Sequence, residues 1–209
     1  MLRNRVKFYF AGWFLEFVDA RLADRPYEWL LHQIAELTEL QEVAVLEVGA
    51  GTGFASRAIE RKLPEALIAA VDLSPELLGH GRRVASQVGS TIRFIRADGC
   101  SLPFADGSLE LVVSAFFLHE LSSAKRSTAV GEIRRILKPG GLLLVADLDE
   151  AVRLRRLFRF YLLLSHGAGA KAVLGHGLVD LLTSHGFEIE SRGGGRGKLL
   201  PHQVVRARM

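Results

Sequence analysis

The sequence predicts an α/β protein: a doubly wound, seven-stranded, mostly parallel sheet with helices on both faces and added helices at the N-terminus. Three observations carry that expectation. Short, near-continuous apolar runs recur from residue 43 to residue 208, the pattern of strands buried on both faces. Helical patterns separate most of these runs, which is the order that parallel strands with crossover helices require. The 209 residues are 49% hydrophobic and 24% charged, enough for one domain with a sizeable core and too apolar for a disordered chain. The formal net charge of +4 is mild, compatible with an anionic partner but not demanding one.

Two helices are expected first. Residues 6–21 set Phe10, Phe14, Phe17 and Val18 at helical spacing with Trp13 beside them. Residues 26–40 open at Pro26, suited to a first helical turn, and carry Trp29, Leu30, Ile34 and Leu37. Residues 1–41 thus read as an N-terminal helical cap, and 42–209 as the main domain. The chain starts basic and then apolar, as a secretion signal would, but Glu16 and Asp19 interrupt the run and no small-residue cleavage site follows. No segment reaches the ~18 apolar residues that cross a bilayer. A cytoplasmic protein is expected.

Strands follow at 43–48, 67–72, 92–96, 109–114 and 141–147, with helices at about 54–62, 75–87 and 123–137. Ser74 before Pro75 is a natural N-cap. "ADGCSLPFADGS", between the third and fourth strands, is too polar and turn-rich for a helix. In "KPGG", Lys138 suits a helix C-terminus, Pro139 forbids continuation and the glycines turn the chain into the fifth strand. A basic, aromatic helix is expected at 150–165, inside a helical insertion of about 150–175. A helix at 177–185 closed by Gly186 precedes two last strands, 187–192 and 199–208, joined by a flexible turn at "GGGRG" (193–197).

The candidate site lies at the carboxyl ends of the strands, where ligands collect in such sheets. In "VAVLEVGAGTGF" an apolar strand ends with the acid Glu47 one turn before Gly49, Gly51 and Gly53, glycines that let a backbone approach a ligand closely. Asp72 ends the next strand and can accept from both hydroxyls of a ribose. A pyrophosphate fits poorly: Phe54 stands where the dinucleotide fingerprint needs its last glycine, and Glu47 would repel the phosphates. The single cysteine, Cys100, excludes an internal disulfide and a Cys-based zinc site, and the seven histidines lack paired spacing. No metal is expected.

"LEVGAGTG", "VDLSPELL", "RADGCSLPFADGSLELVVSAFFLHEL" and "LKPGGLLLVADL" stand in this order over residues 43–148. Together they resemble the class I S-adenosylmethionine-dependent methyltransferases, and most closely the small-molecule group of the ubiquinone and menaquinone C-methyltransferases. The resemblance implies a Rossmann-like fold and an enzyme that moves a methyl group from S-adenosylmethionine to a small-molecule acceptor, lipophilic acceptors included, leaving S-adenosylhomocysteine. Carried over, it puts Glu47 and the backbone of Gly49, Ala50, Gly51, Thr52 and Gly53 at the methionine end of the cofactor. Asp72 takes the ribose and Leu73 the adenine face. Ala97, Asp98 and Gly99 take the adenine edge, and Ala115 and Phe116 the methyl side. The family usually has a polar residue where Ala115 stands.

Each assignment has a structural counterpart. Glu47 suits a helix-cap partner, Asp72 a helix start and Asp98 a turn. His119 is the candidate general base, and a packed, satisfied histidine is its alternative. Glu120, Asp147, Asp149, Glu150, Tyr161 and His166 are further residues that could approach the acceptor. Phe116 and Phe117 either wall an apolar pocket, the favoured reading, or stack on a base. The basic 150–165 helix and the aromatic N-terminal helix read as a cap over the acceptor, with peripheral membrane contact as the alternative. Three rivals stand beside small-molecule methyl transfer. A nicotinamide oxidoreductase fails at Phe54 and lacks a Tyr-x-x-x-Lys pair. A binding protein without turnover would carry the same cofactor motifs. An RNA or protein methyltransferase would meet "SAFF" where base-flipping enzymes have "NPPY", so nucleic acid is disfavoured. Sequence sets no oligomeric state.

Overall fold

The computed structural model describes residues 24–34, 43–149, 176–196 and 201–209. The helices expected at 6–21 and 150–165, the end of the 26–40 helix, and most of the 1–41 cap and the 150–175 insertion lie outside the described residues.

The elements run α1 (Asp24–Gln33), β1 (Ala44–Val48), α2 (Phe54–Lys62), β2 (Leu67–Asp72), α3 (Pro75–Gln87) and β3 (Arg93–Arg96). Then come β4 (Leu109–Ala115), a 3₁₀ turn (Leu118–Glu120), α4 (Ser123–Ile136), β5 (Leu137–Leu148), α5 (Gly177–Ser184), β6 (Glu188–Arg196) and β7 (Pro201–Arg208). The seven strands form one sheet in the order β3-β2-β1-β4-β5-β7-β6. β3, β2, β1, β4 and β5 are parallel, and β7 runs antiparallel to both β5 and β6. The chain winds outward from β1 to β3 and then returns to lay β4 against the other side of β1. That reversal puts the switch point, and the crevice it opens, at the carboxyl ends of β1 and β4.

Both faces of the sheet are covered. On one, Tyr27, Leu30 and Ile34 of the α1 region, Ile59 of α2 and Leu78 of α3 pack against Val45, Leu111, Val113 and Leu144. On the other, Val130, Ile133 and Ile136 of α4 and Leu178 and Leu182 of α5 pack against Leu46, Val112, Leu143 and Val145. Burial on both faces is why β1, β2, β4 and β5 read as unbroken apolar runs. Local signals set the helix starts: Ser74 caps α3, its hydroxyl accepting from Leu77 N–H at 3.3 Å ahead of Pro75 at the first position, and Ser122 caps α4 in the same way.

Two expectations about punctuation fail. "KPGG" is not a helix end leading to a turn: α4 stops at Ile136 and β5 already begins at Leu137. Leu137 is fully buried and pairs with Leu109, yet the next partners are Leu111 and Leu142, so residues 138–141 are looped out as an irregularity in the ladder. Gly140 (φ +75°) makes that possible, and Lys138 pairs with Glu110 of β4 instead of a helix terminus. "GGGRG" is not a turn either: Gly193, Gly194 and Gly195 continue β6, opposite Val204, Gln203 and His202. The reason is room. A Cβ on Gly194 would stand 2.9 Å from the His202 carbonyl, and one on Gly193 3.2 Å from Val204, so glycine serves close approach inside a strand.

Among the described residues no helix is long and apolar enough to cross a membrane.

Candidate functional site

From the end of β1 the chain turns through five residues into α2. Gly49, Gly51 and Gly53 take φ of +71°, +53° and +73°, conformations open to glycine without a Cβ penalty. The three differ in what lies beneath them. A Cβ on Gly49 would stand 2.3 Å from the Phe117 ring, and one on Gly53 2.6 Å from the Phe94 ring. On Gly51 it would meet nothing nearer than Leu77 Cδ1 at 4.0 Å. Two glycines therefore make room for the protein, and one presents bare backbone to open space.

Fixed partners hold the loop. Ala50 N–H donates to the Val71 carbonyl (2.9 Å), Gly53 N–H to the Ala50 carbonyl (2.7 Å), and the buried Arg57 guanidinium to the Thr52 carbonyl (2.6 Å). Asp72, half-buried at the end of β2, accepts from Gly51 N–H through Oδ2 and from Ser74 N–H through Oδ1, both at 2.8 Å. One carboxylate thus ties the glycine loop to the start of α3. Glu47 is 2% exposed. Its Oε2 accepts from both the N–H (2.8 Å) and the hydroxyl (2.5 Å) of Ser56. The N-cap Gly53 offers α2 no side-chain bond, so Glu47 supplies from β1 the acceptor and negative charge that a helix N-terminus favours.

Across the crevice, Ala97 N–H donates to the Asp72 carbonyl (3.2 Å), and Asp98 closes a small turn, accepting from Cys100 N–H through Oδ1 (2.9 Å) and from Ser101 N–H through its carbonyl (2.9 Å). Burial, and then Asp98, push the Cys100 thiol up from its ordinary range. Leu73, just past β2, is 59% exposed. Phe117 joins the loops: a Cβ on Gly99 would stand 2.7 Å from its Cζ, so the ring lies against both Gly49 and Gly99. Partly buried, it packs against the core beneath the two loops.

The third side is the segment after β4. Ala115 is buried, and Phe116 takes φ +55°, its N–H donating to the Ala146 carbonyl (2.7 Å). Tyr27 of α1 meets Phe54 (centroids 4.8 Å apart) and, edge-on, Phe116 (6.5 Å), so three aromatic rings gather beside the switch point. His119 is 6% exposed, with Nδ1 2.6 Å from Asp147 Oδ1 and Nε2 3.2 Å from Glu120 Oε1. Burial pulls the imidazole pKa down, but the charge and hydrogen bond of Asp147, joined by those of Glu120, outweigh it and push the pKa up to about 9. Asp147, one of the residues that could approach an acceptor, is fully buried beneath this turn. Glu120 is exposed and Asp149 half-buried, while Glu150, Tyr161 and His166 lie outside the described residues.

The structure therefore brings Glu47, the 49–53 loop, Asp72, Leu73, Ala97–Gly99 and Ala115–Phe116 to the carboxyl ends of β1, β2, β3 and β4. Sequence reasoning missed Ser56, Tyr27 and Phe94. Tyr27 carried a signal, lying on the apolar face of α1 with Leu30 and Ile34. Ser56 and Phe94 are defined by pairings that only the fold creates. Among the described residues no group of three or more histidine, cysteine or acidic side chains gathers as a metal site.

Residues 45–141 match the family described as a methyltransferase domain. The chain is 34% identical over 103 residues to a demethylmenaquinone methyltransferase of Thermus thermophilus, covering 49% of this chain and 46% of that protein. It is 39% identical over 119 residues to a release factor glutamine methyltransferase of Deinococcus radiodurans, covering 56% of this chain and 41% of that one. It thus spans less than half the length of these curated relatives. Among solved structures, magnesium protoporphyrin IX methyltransferase of Synechocystis, with S-adenosylhomocysteine bound, superposes with a TM-score of 0.72 over 88% of this chain and 82% of that one. At 16% identity this is a likeness of fold.

Proposed function

We propose that the protein transfers a methyl group from S-adenosylmethionine to a small-molecule acceptor, with S-adenosylhomocysteine as product, a reading supported by the match of residues 45–141 to the methyltransferase-domain family and by the similarity to a demethylmenaquinone methyltransferase. The observation that carries this reading is the pairing of Gly51 with Asp72 at the switch point: bare, open backbone beside a carboxylate that still has capacity. Asp72 accepts two N–H bonds, and a carboxylate offers about four lone-pair sites, so each oxygen keeps one for a ribose hydroxyl. Exposed Leu73 next to it suits an adenine face, and Ala97, Asp98 and Gly99 its edge. Glu47 and the 49–53 backbone suit a cationic amino-acid end, and the Thr52 hydroxyl, buried with no hydrogen-bond partner among the described residues, suits its carboxylate. Ala115 and Phe116 take the methyl side.

When bound, S-adenosylmethionine supplies a methyl carbon already activated by its sulfonium. The chain's part is then to orient it, exclude water and position the acceptor in line. The Tyr27, Phe54 and Phe116 rings give the acceptor side an apolar, aromatic wall, which favours a lipophilic small molecule. The alternative of a protein acceptor draws on the similarity to release factor glutamine methyltransferase.

Calorimetry with S-adenosylhomocysteine and with NAD, on the wild type and Asp72→Ala, tests the reading. Micromolar binding of S-adenosylhomocysteine, weakened about tenfold or more by the loss of a charged hydrogen-bond acceptor, is expected. Binding of NAD alone, or of neither, sinks the proposal. Binding with no loss of labelled methyl from S-adenosylmethionine across acceptor panels would mark a binding protein without turnover.

A further inference from the structure

The turn after β4 is bolted to β5 through one buried carboxylate. Asp147 accepts from His119 three residues past the strained Phe116: Oδ1 takes Nδ1–H at 2.6 Å, and Oδ2 the His119 backbone N–H at 3.2 Å. Its Oδ1 also takes the Leu148 N–H (2.7 Å), which fixes the carboxylate itself. From α4, the buried Arg126 donates to the Leu118 carbonyl through Nε (2.8 Å) and to the Leu121 carbonyl through its terminal nitrogen (2.6 Å). The charged groups set around the imidazole by described elements are Asp147 from β5, Glu120 from its own turn, and Arg126 from α4, which acts on Asp147.

Two features of this geometry bear on His119. Both ring nitrogens face carboxylates, and an imidazolium donating on both sides has no lone pair with which to take a proton. At pH 7 a group that titrates near 9 is neutral in only about one molecule in a hundred, far from the match a general base needs. The second feature is Phe116. A bulky residue at φ +55° persists only where its surroundings impose it, and here it sits between two anchors on β5, the Ala146 carbonyl and the Asp147 carboxylate.

We propose that His119 is a positioning residue and not the proton acceptor: through Asp147 it bolts the 116–121 turn to the end of β5, and so fixes Ala115 and Phe116 on the methyl side of the site. This rests on the methyl-transfer reading, in which those two residues line the cofactor. It also places any base that the acceptor needs outside this dyad.

Histidine-selective NMR, amide hydrogen exchange and calorimetry with S-adenosylhomocysteine, all on the full chain, test it. In the wild type His119 should titrate near 9, and Asp147→Asn should lower that midpoint toward the ordinary histidine value. The same variant speeds exchange at residues 118–121 by about tenfold or more and weakens S-adenosylhomocysteine severalfold. A His119 midpoint near neutrality, or wild-type exchange and affinity in Asp147→Asn, overturns the proposal. Should that variant not fold, His119→Asn and His119→Ala decide. An asparagine amide can take the place of Nδ1, so slow exchange restored by Asn and lost with Ala supports the bolt, and equal exchange in the two overturns it. A wild type that fails to bind S-adenosylhomocysteine would sink the methyl-transfer reading, while titration and exchange still decide the bolt.

Discussion

Replacing Gly49 by alanine separates backbone strain from crowding under the glycine loop. At φ +71° an added Cβ costs about 1–2 kcal/mol against the neighbouring carbonyl. The same atom would lie 2.3 Å from Phe117 Cγ and Cδ2, closer than any real contact. Phe117 has little room to retreat, because its far edge already fills the space where a Cβ on Gly99 would stand. Crowding of this sort adds about 1–3 kcal/mol, so Gly49→Ala should lose about 2–5 kcal/mol in all. Gly51→Ala is the control: its φ of +53° brings the same backbone strain, but its nearest neighbour is 4.0 Å away, and a loss of about 1–2 kcal/mol is expected. Urea unfolding, with the m-values compared, measures both. Adding Phe117→Leu to Gly49→Ala should return part of the excess, as coupled neighbours do in a double-mutant cycle. Equal losses for Gly49→Ala and Gly51→Ala, or strict additivity with Phe117→Leu, would refute the reasoning. Gly51→Ala should in turn weaken S-adenosylhomocysteine more than Gly49→Ala does, because its methyl group enters the open face.

Further outcomes follow from other contacts. Glu47→Gln should cost about 1–3 kcal/mol by urea unfolding, since it removes a charged, buried acceptor from the start of α2, and Ser56→Ala about 1–2 kcal/mol. Arg126→Met should cost about 2–4 kcal/mol by leaving the Leu118 and Leu121 carbonyls unpaired, and Arg126→Lys should not restore it, because a single ammonium cannot reproduce the two-pronged donor. Glu190 is held below its usual 4.5 by the Arg208 hydrogen bond, against some burial and with help from Arg206. Its stabilisation is therefore present above pH 4.5 and lost as pH falls through the lowered value, and Glu190→Gln should flatten the acid limb of Tm against pH. The sign reverses for His119. Its raised pKa makes its stabilisation complete below 6.5 and lost as pH rises through about 9, so Asp147→Asn should abolish that alkaline fall in Tm.

Much of the fold was legible because burial on both faces leaves a plain mark. The runs at 44–48, 67–72 and 109–115 are strands with little polar interruption, and Ser74-Pro75 announces a helix start by local chemistry alone. What failed was glycine. In "KPGG" and "GGGRG" the residues that usually punctuate a chain serve a looped-out stretch of strand and a close strand–strand approach, and neither use can be seen without the neighbour that demands it. The site divides in the same way. Glu47, the three glycines and Asp72 stand at fixed offsets from strand ends, so their gathering at the crevice was readable. That Phe117 would lie under Gly49 and Gly99, and that Asp147 would turn inward to His119, depends on contacts between segments far apart in sequence. Periodicity carries no record of such contacts.

The position of β7 has a consequence for how the chain is made. It is the last strand along the chain, yet it lies inside the sheet, between β5 and β6. When β5 leaves the ribosome, the described strand that pairs with its outer edge, Leu142–Leu148, is still to come: β7 follows about 60 residues later, an interval of about 3–12 s at ordinary elongation rates. β6 emerges first and cannot take its own place, because β7 is what it pairs with. During that interval the nascent protein carries an open, apolar strand edge, the kind that recruits a stray strand from another molecule. Slow synthesis through residues 149–200 would lengthen that exposure, and chaperone demand should be read there, not at the cofactor loop.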